Sequence, residues 1–161
     1  MPTATRTRTI EASPKEIWEV LSDPHHLPRW WPRVSRIESV TLEGTPDSGG
    51  LAGELGAFTE VLMSAKGKLV RADFRLVDAS AGQRIVWAQE VENTPFAKVL
   101  KSAETEVSLA GPADAYTTEV TVEMRQSLRG FFARLGGYLV RRAAAATIEE
   151  ALDGLERIVG R

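Results

Sequence analysis

Two histidines, His25 and His26, are the side chains of this 161-residue chain that ordinarily exchange protons near neutral pH. They stand between Pro24 and Pro28 in a polar turn, with no spaced carboxylate or further histidine to complete a metal site, and we give them no catalytic role. The chain has no cysteine, which removes thiol nucleophiles, thiolate metal ligands and a disulfide framework. Neither Ser-x-x-Lys nor Gly-x-Ser-x-Gly occurs, and no glycine-rich loop follows a strand to cradle phosphate. No catalytic residue, metal or cofactor is therefore expected. The remaining polar candidates are Gln89, Lys101, Thr105 and Gln126, whose meaning depends on which way their strands turn them.

Alternation supplies that direction. Lys68 to Val77 places Val70, Ala72, Phe74 and Leu76 on one face and Arg71, Asp73 and Arg75 on the other, a solvated face. Arg84 to Val91 keeps Ile85, Trp87, Gln89 and Val91 in phase, and Val99 to Leu109 keeps Thr105, Val107 and Leu109 together, with Lys101 in the same phase. Asn93-Thr94-Pro95 lies just upstream, and a bulge there would reverse the facing of Lys101. Tyr116 to Leu128 sets Met124 and Gln126 among apolar neighbours and against Glu119, Thr121, Glu123 and Arg125. Each glutamine either offers a hydrogen bond to a hollow or meets water at a strand end.

Further strands are expected over Thr3 to Ile10, Val34 to Glu43 and Leu55 to Met63, the last two separated by the loop-like Thr45-Pro46-Asp47-Ser48-Gly49-Gly50. From about Phe131 to Val159 the period becomes helical, with Leu135, Leu139, Ala143, Ala146, Ala151, Leu155 and Ile158 along one stripe. Gly136-Gly137 falls inside that span, where each glycine costs about 1 kcal/mol relative to alanine, so close packing or room at a cavity mouth must compensate.

The opening segment is the most telling local pattern. Ser13 is a good N-cap, Pro14 suits the first helical position, and Glu16 can close a capping box. Ile17, Val20 and Leu21 form an apolar face, and Pro24 and Pro28 forbid a long continuation, so a helix is expected over roughly Pro14 to Leu21. With the Asp23 that follows and the Trp30-Trp31-Pro32 exit, this Ser-Pro-x-Glu-Ile-Trp start resembles the START-like, or SRPBCC, superfamily, and within it the polyketide cyclase/dehydrase and lipid-transport branch. The resemblance implies an α+β helix-grip fold over residues 1–161: a curved seven-stranded antiparallel sheet wrapped around a long C-terminal helix, with two short helices after the first strand. It also implies a cavity reached near the tryptophan pair and lined by the early half of the long helix.

Trp30 and Trp31 combine large apolar area with an N–H, suited to closing a pocket over an aromatic or lipid-like ligand, while at least one of them is expected to pack beneath the short helices. Phe58, Phe74, Met124, Phe132 and Leu135 read as cavity wall, with Trp87 as core or ligand contact and Gly136 and Leu139 beside the mouth. The formal net charge of −2 gives no electrostatic reason to expect nucleic acid, and no segment approaches the apolar length of a membrane span. The resulting expectation is a cytoplasmic protein, monomer or homodimer, that binds a small hydrophobic, lipid-like or aromatic and polyketide-like molecule. An aromatase/cyclase-type enzyme and a partner-binding domain without an open cavity are the alternatives.

Overall fold

The computed structural model describes residues 2–43, 55–64, 66–112, 114–130 and 136–160. Its elements are β1 (Thr3–Ile10), α1 (Pro14–Leu21), a single 3-10 turn (Pro24–His26), α2 (Leu27–Trp30), β2 (Val34–Glu43), β3 (Leu55–Met63), β4 (Leu69–Ser80), β5 (Arg84–Gln89), a second 3-10 turn (Pro95–Lys98), β6 (Leu100–Ala110), β7 (Thr118–Leu128) and α3 (Gly137–Val159). Among the described residues the seven strands form one antiparallel sheet in the order β1-β7-β6-β5-β4-β3-β2. The architecture is the helix grip expected from the opening segment. Ser13 accepts from the Glu16 backbone N–H at 3.2 Å, so the capping side chain starts α1 where its spacing predicts. The loop Thr45 to Gly50 lies outside the described residues.

Helix α3 crosses the concave face and buries Ala144, Ile148, Ala151, Leu152 and Leu155 against Ile10, Ile17, Val107, Val120 and Val122. This corrects the stripe expected from the sequence in its first half: Ala143 and Ala146 are exposed and Leu139 is 64% exposed. A run of alanines has no large side chain to set its phase, and Ile148 and Leu152 set it instead. Gly136 and Gly137 form the helix entrance rather than its interior, so the glycine penalty argued for a helix interior does not arise. The expected start at Phe131 lies outside the described residues.

The convex face is covered by charge. Arg125 donates to Glu106 at 3.1 Å, Glu123 at 2.8 Å and Glu104 at 3.2 Å, while Arg84 grips both Glu106 oxygens at 3.0 and 3.1 Å and also pairs with Asp78. Val86 and Ala88, buried on this face, have Glu106 and Glu104 as cross-strand partners, so the lattice overlies apolar side chains on a central strand. Arg125→Ala leaves three carboxylates without their shared counterion and is expected to cost about 1–2 kcal/mol. Urea unfolding at low and high salt checks this, with the loss shrinking as salt rises.

Candidate functional site

The cavity follows from strand register. Phe58 of β3 pairs with Phe74 of β4, and Phe74 with Gln89 of β5; one step along, Trp87 pairs with Thr105 of β6, and Thr105 with Met124 of β7. Two rows of inward side chains thus cross the sheet side by side. Phe58 and Phe74 stack with centroids 5.4 Å apart and planes at 9°, and Trp87 stands edge-on to Phe58 at 6.5 Å and 90°. Leu27 of α2, Trp31, Pro32 and Arg33 of the segment joining α2 to β2, Phe96 of the second 3-10 turn and Thr147 of α3 border the space. The cavity is partly open to solvent and has a volume of about 310 Å³.

Seven of the residues proposed from the sequence meet here: Trp31, Phe58, Phe74, Trp87, Gln89, Thr105 and Met124. The others lie elsewhere. Trp30 is 3% exposed and packs against Gly154 of α3, its ring meeting Trp31 edge-on at 5.4 Å, so the adjacent tryptophans divide between core and cavity wall. Lys101 is exposed because the β6–β7 register shifts between Leu100 and Ser102, reversing its facing relative to Thr105. Gln126 is half-buried at the strand end, where its backbone N–H donates to the Pro2 carbonyl at 3.0 Å, and it is not in the cavity wall. Gly136 and the exposed Leu139 do not line the space either, while Phe132 and Leu135 lie outside the described residues. Thr147, one turn and more beyond the expected region, is the contribution of α3 among the described residues.

One chemically distinctive residue escaped sequence reasoning. Glu60 is 6% exposed and lines the cavity, and its carboxyl has no hydrogen bond or ion pair to any described residue. Burial pushes its carboxyl up from the usual 4.5 to about 8, so it is mainly a neutral acid at pH 7. The signal for it was present, since Glu60 is two residues from Phe58 on a strand and therefore shares its face. Its cross-strand neighbour on β4 is Ala72. At the rim, Arg33 holds a left-handed φ of 67° and is exposed, the other ionisable group of the described wall. His25, with its Nδ1 2.9 Å from Asp23, and His26 lie outside this wall. Among the described residues no group of histidine and acidic side chains is arranged to hold a metal.

The arrangement can hold an apolar molecule between aromatic faces and offer it a hydrogen-bonding carboxylic acid, an amide and the three hydroxyls of Ser64, Thr105 and Thr147. No helix among the described residues is long and apolar enough to cross a membrane.

Comparison with solved structures finds the same fold at low identity. The di-domain aromatase/cyclase StfQ of the steffimycin biosynthetic pathway superposes with a TM-score of 0.73 at 12% identity, over 98% of this chain and 50% of that one, so the present chain spans half of that protein. ZhuI aromatase/cyclase from Streptomyces sp. R1128 gives 0.72 at 14% identity, covering 98% and 92%. A START superfamily protein from Mycobacterium smegmatis gives 0.71 at 16%, covering 98% and 96%. Comparison with the curated proteins finds no match. The family described as polyketide cyclase/dehydrase and lipid transport matches residues 1–160, and with the capped α1, the helix grip and the cavity between them already in view, the chain belongs to that family.

Proposed function

We propose that the protein binds a small hydrophobic molecule, lipid-like or aromatic and polyketide-like, in the cavity between sheet and α3. Residues 1–161 act as one unit, in the cytoplasm, without a metal or cofactor. The observation that carries this reading is a partly open cavity of about 310 Å³ walled by Trp31, Phe58, Phe74 and Trp87, at the lower end of the size range of small-molecule sites and with their usual balance of apolar wall and few polar groups. Family membership supports it, and the aromatase/cyclase neighbours favour an aromatic over a purely aliphatic occupant. Native mass spectrometry of protein from its own host, with thermal shift across fused-ring phenols and fatty acids, tests it. Phe74→Ala removes one face of the stacked pair and is expected to weaken the best ligand about tenfold. Absence of any adduct together with no thermal shift would overturn the reading.

Glu60 favours a second reading, an aromatase/cyclase-type reaction. A neutral carboxylic acid in an apolar cavity can give its proton to a ketone oxygen, and the resulting carboxylate can take the proton from the adjacent carbon, which converts ketone to enol and restores the acid. Incubation with a linear poly-β-ketone thioester, followed for loss of water and gain of aromatic absorbance, separates catalysis from binding. The partner-binding alternative requires a filled interior and is the one the cavity favours least.

A further inference from the structure

Resting on the hydrophobic-binding reading, we infer that the cavity is built for a hydrophobic organic cation, an amine or quaternary ammonium with an apolar body, whose charge sits against Glu60 among the aromatic rings. The geometry supplies both halves of cation recognition. Trp31, Phe58, Phe74 and Trp87 present ring surface to one space, and the Glu60 carboxyl lines the same space without a side-chain partner among the described residues. A carboxyl that serves only packing would be replaceable by an apolar residue. One left unpaired and open to a cavity is matched by a ligand that brings the missing charge.

The surrounding charges agree. Glu60 has Ile37 of β2 and Ala72 of β4 as cross-strand partners. Arg36, Glu38, Arg71 and Asp73 on the same strands lie on the opposite face, where Glu38 bonds Arg36 at 2.8 Å and Arg71 at 3.2 Å and Asp73 accepts from Thr59 at 2.6 Å. From β5, β6, β7, α3 and the second 3-10 turn, the described groups reaching the cavity are Gln89, Thr105, Met124, Thr147 and Phe96 with Trp87, none of them charged. Arg33 stands exposed at the rim, its guanidinium makes no hydrogen bond or ion pair to a described residue, and it is the one positive group among the described lining residues. The described wall therefore holds no interior positive charge for an anionic ligand and one carboxyl that can ionise against a cation.

Because the free acid is mainly protonated at neutral pH, binding a cation releases a proton, and this yields a pH signature that packing alone cannot produce. The test compares benzyltrimethylammonium with neopentylbenzene, which puts carbon in place of nitrogen at nearly the same shape. By isothermal titration, the cation's affinity should rise about tenfold per pH unit up to about pH 8, with close to one proton released per molecule bound at pH 6 to 7 in buffers of differing ionisation heat. The neutral isostere should show no such rise. Glu60→Gln should collapse the ratio of the two affinities at about pH 8 by tenfold or more. A cation affinity that is flat in pH, without proton release, while the isostere binds, overturns the cation inference and leaves hydrophobic binding standing. Binding of neither probe, with no response across the hydrophobic library, overturns both.

Discussion

Glu60→Gln is expected to be more stable than the wild type by about 3 kcal/mol at pH 7, and no more stable at about pH 4. The carboxyl is buried without a side-chain partner among the described residues, and its folded value stands at about 8 against the usual 4.5. Below the lower value both folded and unfolded chains hold the proton, and burial carries no charge penalty. Between the two values the unfolded chain has lost its proton and the folded chain keeps it, so stability falls as pH rises, by about 1.4 kcal/mol per unit. Above about pH 8 both states are ionised and the loss is complete. The glutamine amide has no proton to lose in this range, and its curve stays flat there. Glu106 acts in the opposite sense at the acid end: hydrogen bonding from Arg84 holds it below the usual carboxylate range, so its contribution is present above that range and lost as pH falls. The wild type should thus be most stable at about pH 4 to 4.5, with an acid limb from Glu106 and a long alkaline limb from Glu60. Urea midpoints of both proteins from pH 4 to 9 measure this, and a wild-type curve parallel to that of the variant between pH 5 and 8 would contradict the burial argument.

Gly154→Ala should destabilise the protein by about 1–3 kcal/mol, the reverse of what helix propensity predicts. In an exposed helix interior this change gains about 1 kcal/mol. Here the glycine lies against the α2 backbone: an added Cβ would sit 2.8 Å from the Trp30 Cα, 3.0 Å from its carbonyl carbon and closer still to its carbonyl oxygen. Backbone cannot rotate aside as a side chain can, so helix and α2 must move apart and loosen the packing of Trp30 and Leu152. Trp31 is the next residue, and the displacement therefore reaches the cavity wall. Thermal unfolding together with the near-ultraviolet dichroism of the tryptophans reads both effects. A rise in midpoint with an unchanged spectrum would show the contact to be slack.

The strands and the capped α1 were legible because each is signalled by a short-range rule. Alternation in Val70 to Leu76 and the capping residues Ser13 and Glu16 need no knowledge of the rest of the chain. Cavity wall on central strands was legible for the same reason, as Phe74, Trp87 and Met124 inherit the inward phase of their strands. What failed depended on longer-range facts. The shift between Leu100 and Ser102 turns Lys101 outward although its parity with Thr105 is correct on paper. The alanine run let the phase of α3 drift, which misplaced Leu139, and the division of Trp30 from Trp31 was set by a glycine on a distant helix. Glu60 was missed differently: its parity was readable, but a glutamate in a strand reads as solvent-facing until the chain around it is known.

The strand order has a consequence for how the molecule comes into being. β1 and β2 are neighbours along the chain yet occupy opposite edges of the sheet, and β1 finds its hydrogen-bonding partner in β7, with Thr3 opposite Arg125. A ribosome makes β1 before the other strands, but its partner does not begin to exist until nearly three-quarters of these 161 residues have been synthesised, since Thr118 begins β7. The meander from β2 to β6 can form progressively from adjacent hairpins, whereas β1 must wait and then close the longest loop in the fold. The threonine and arginine alternation of Thr3 to Arg8 keeps that waiting segment polar on one side, which limits its tendency to associate with other chains before its partner arrives.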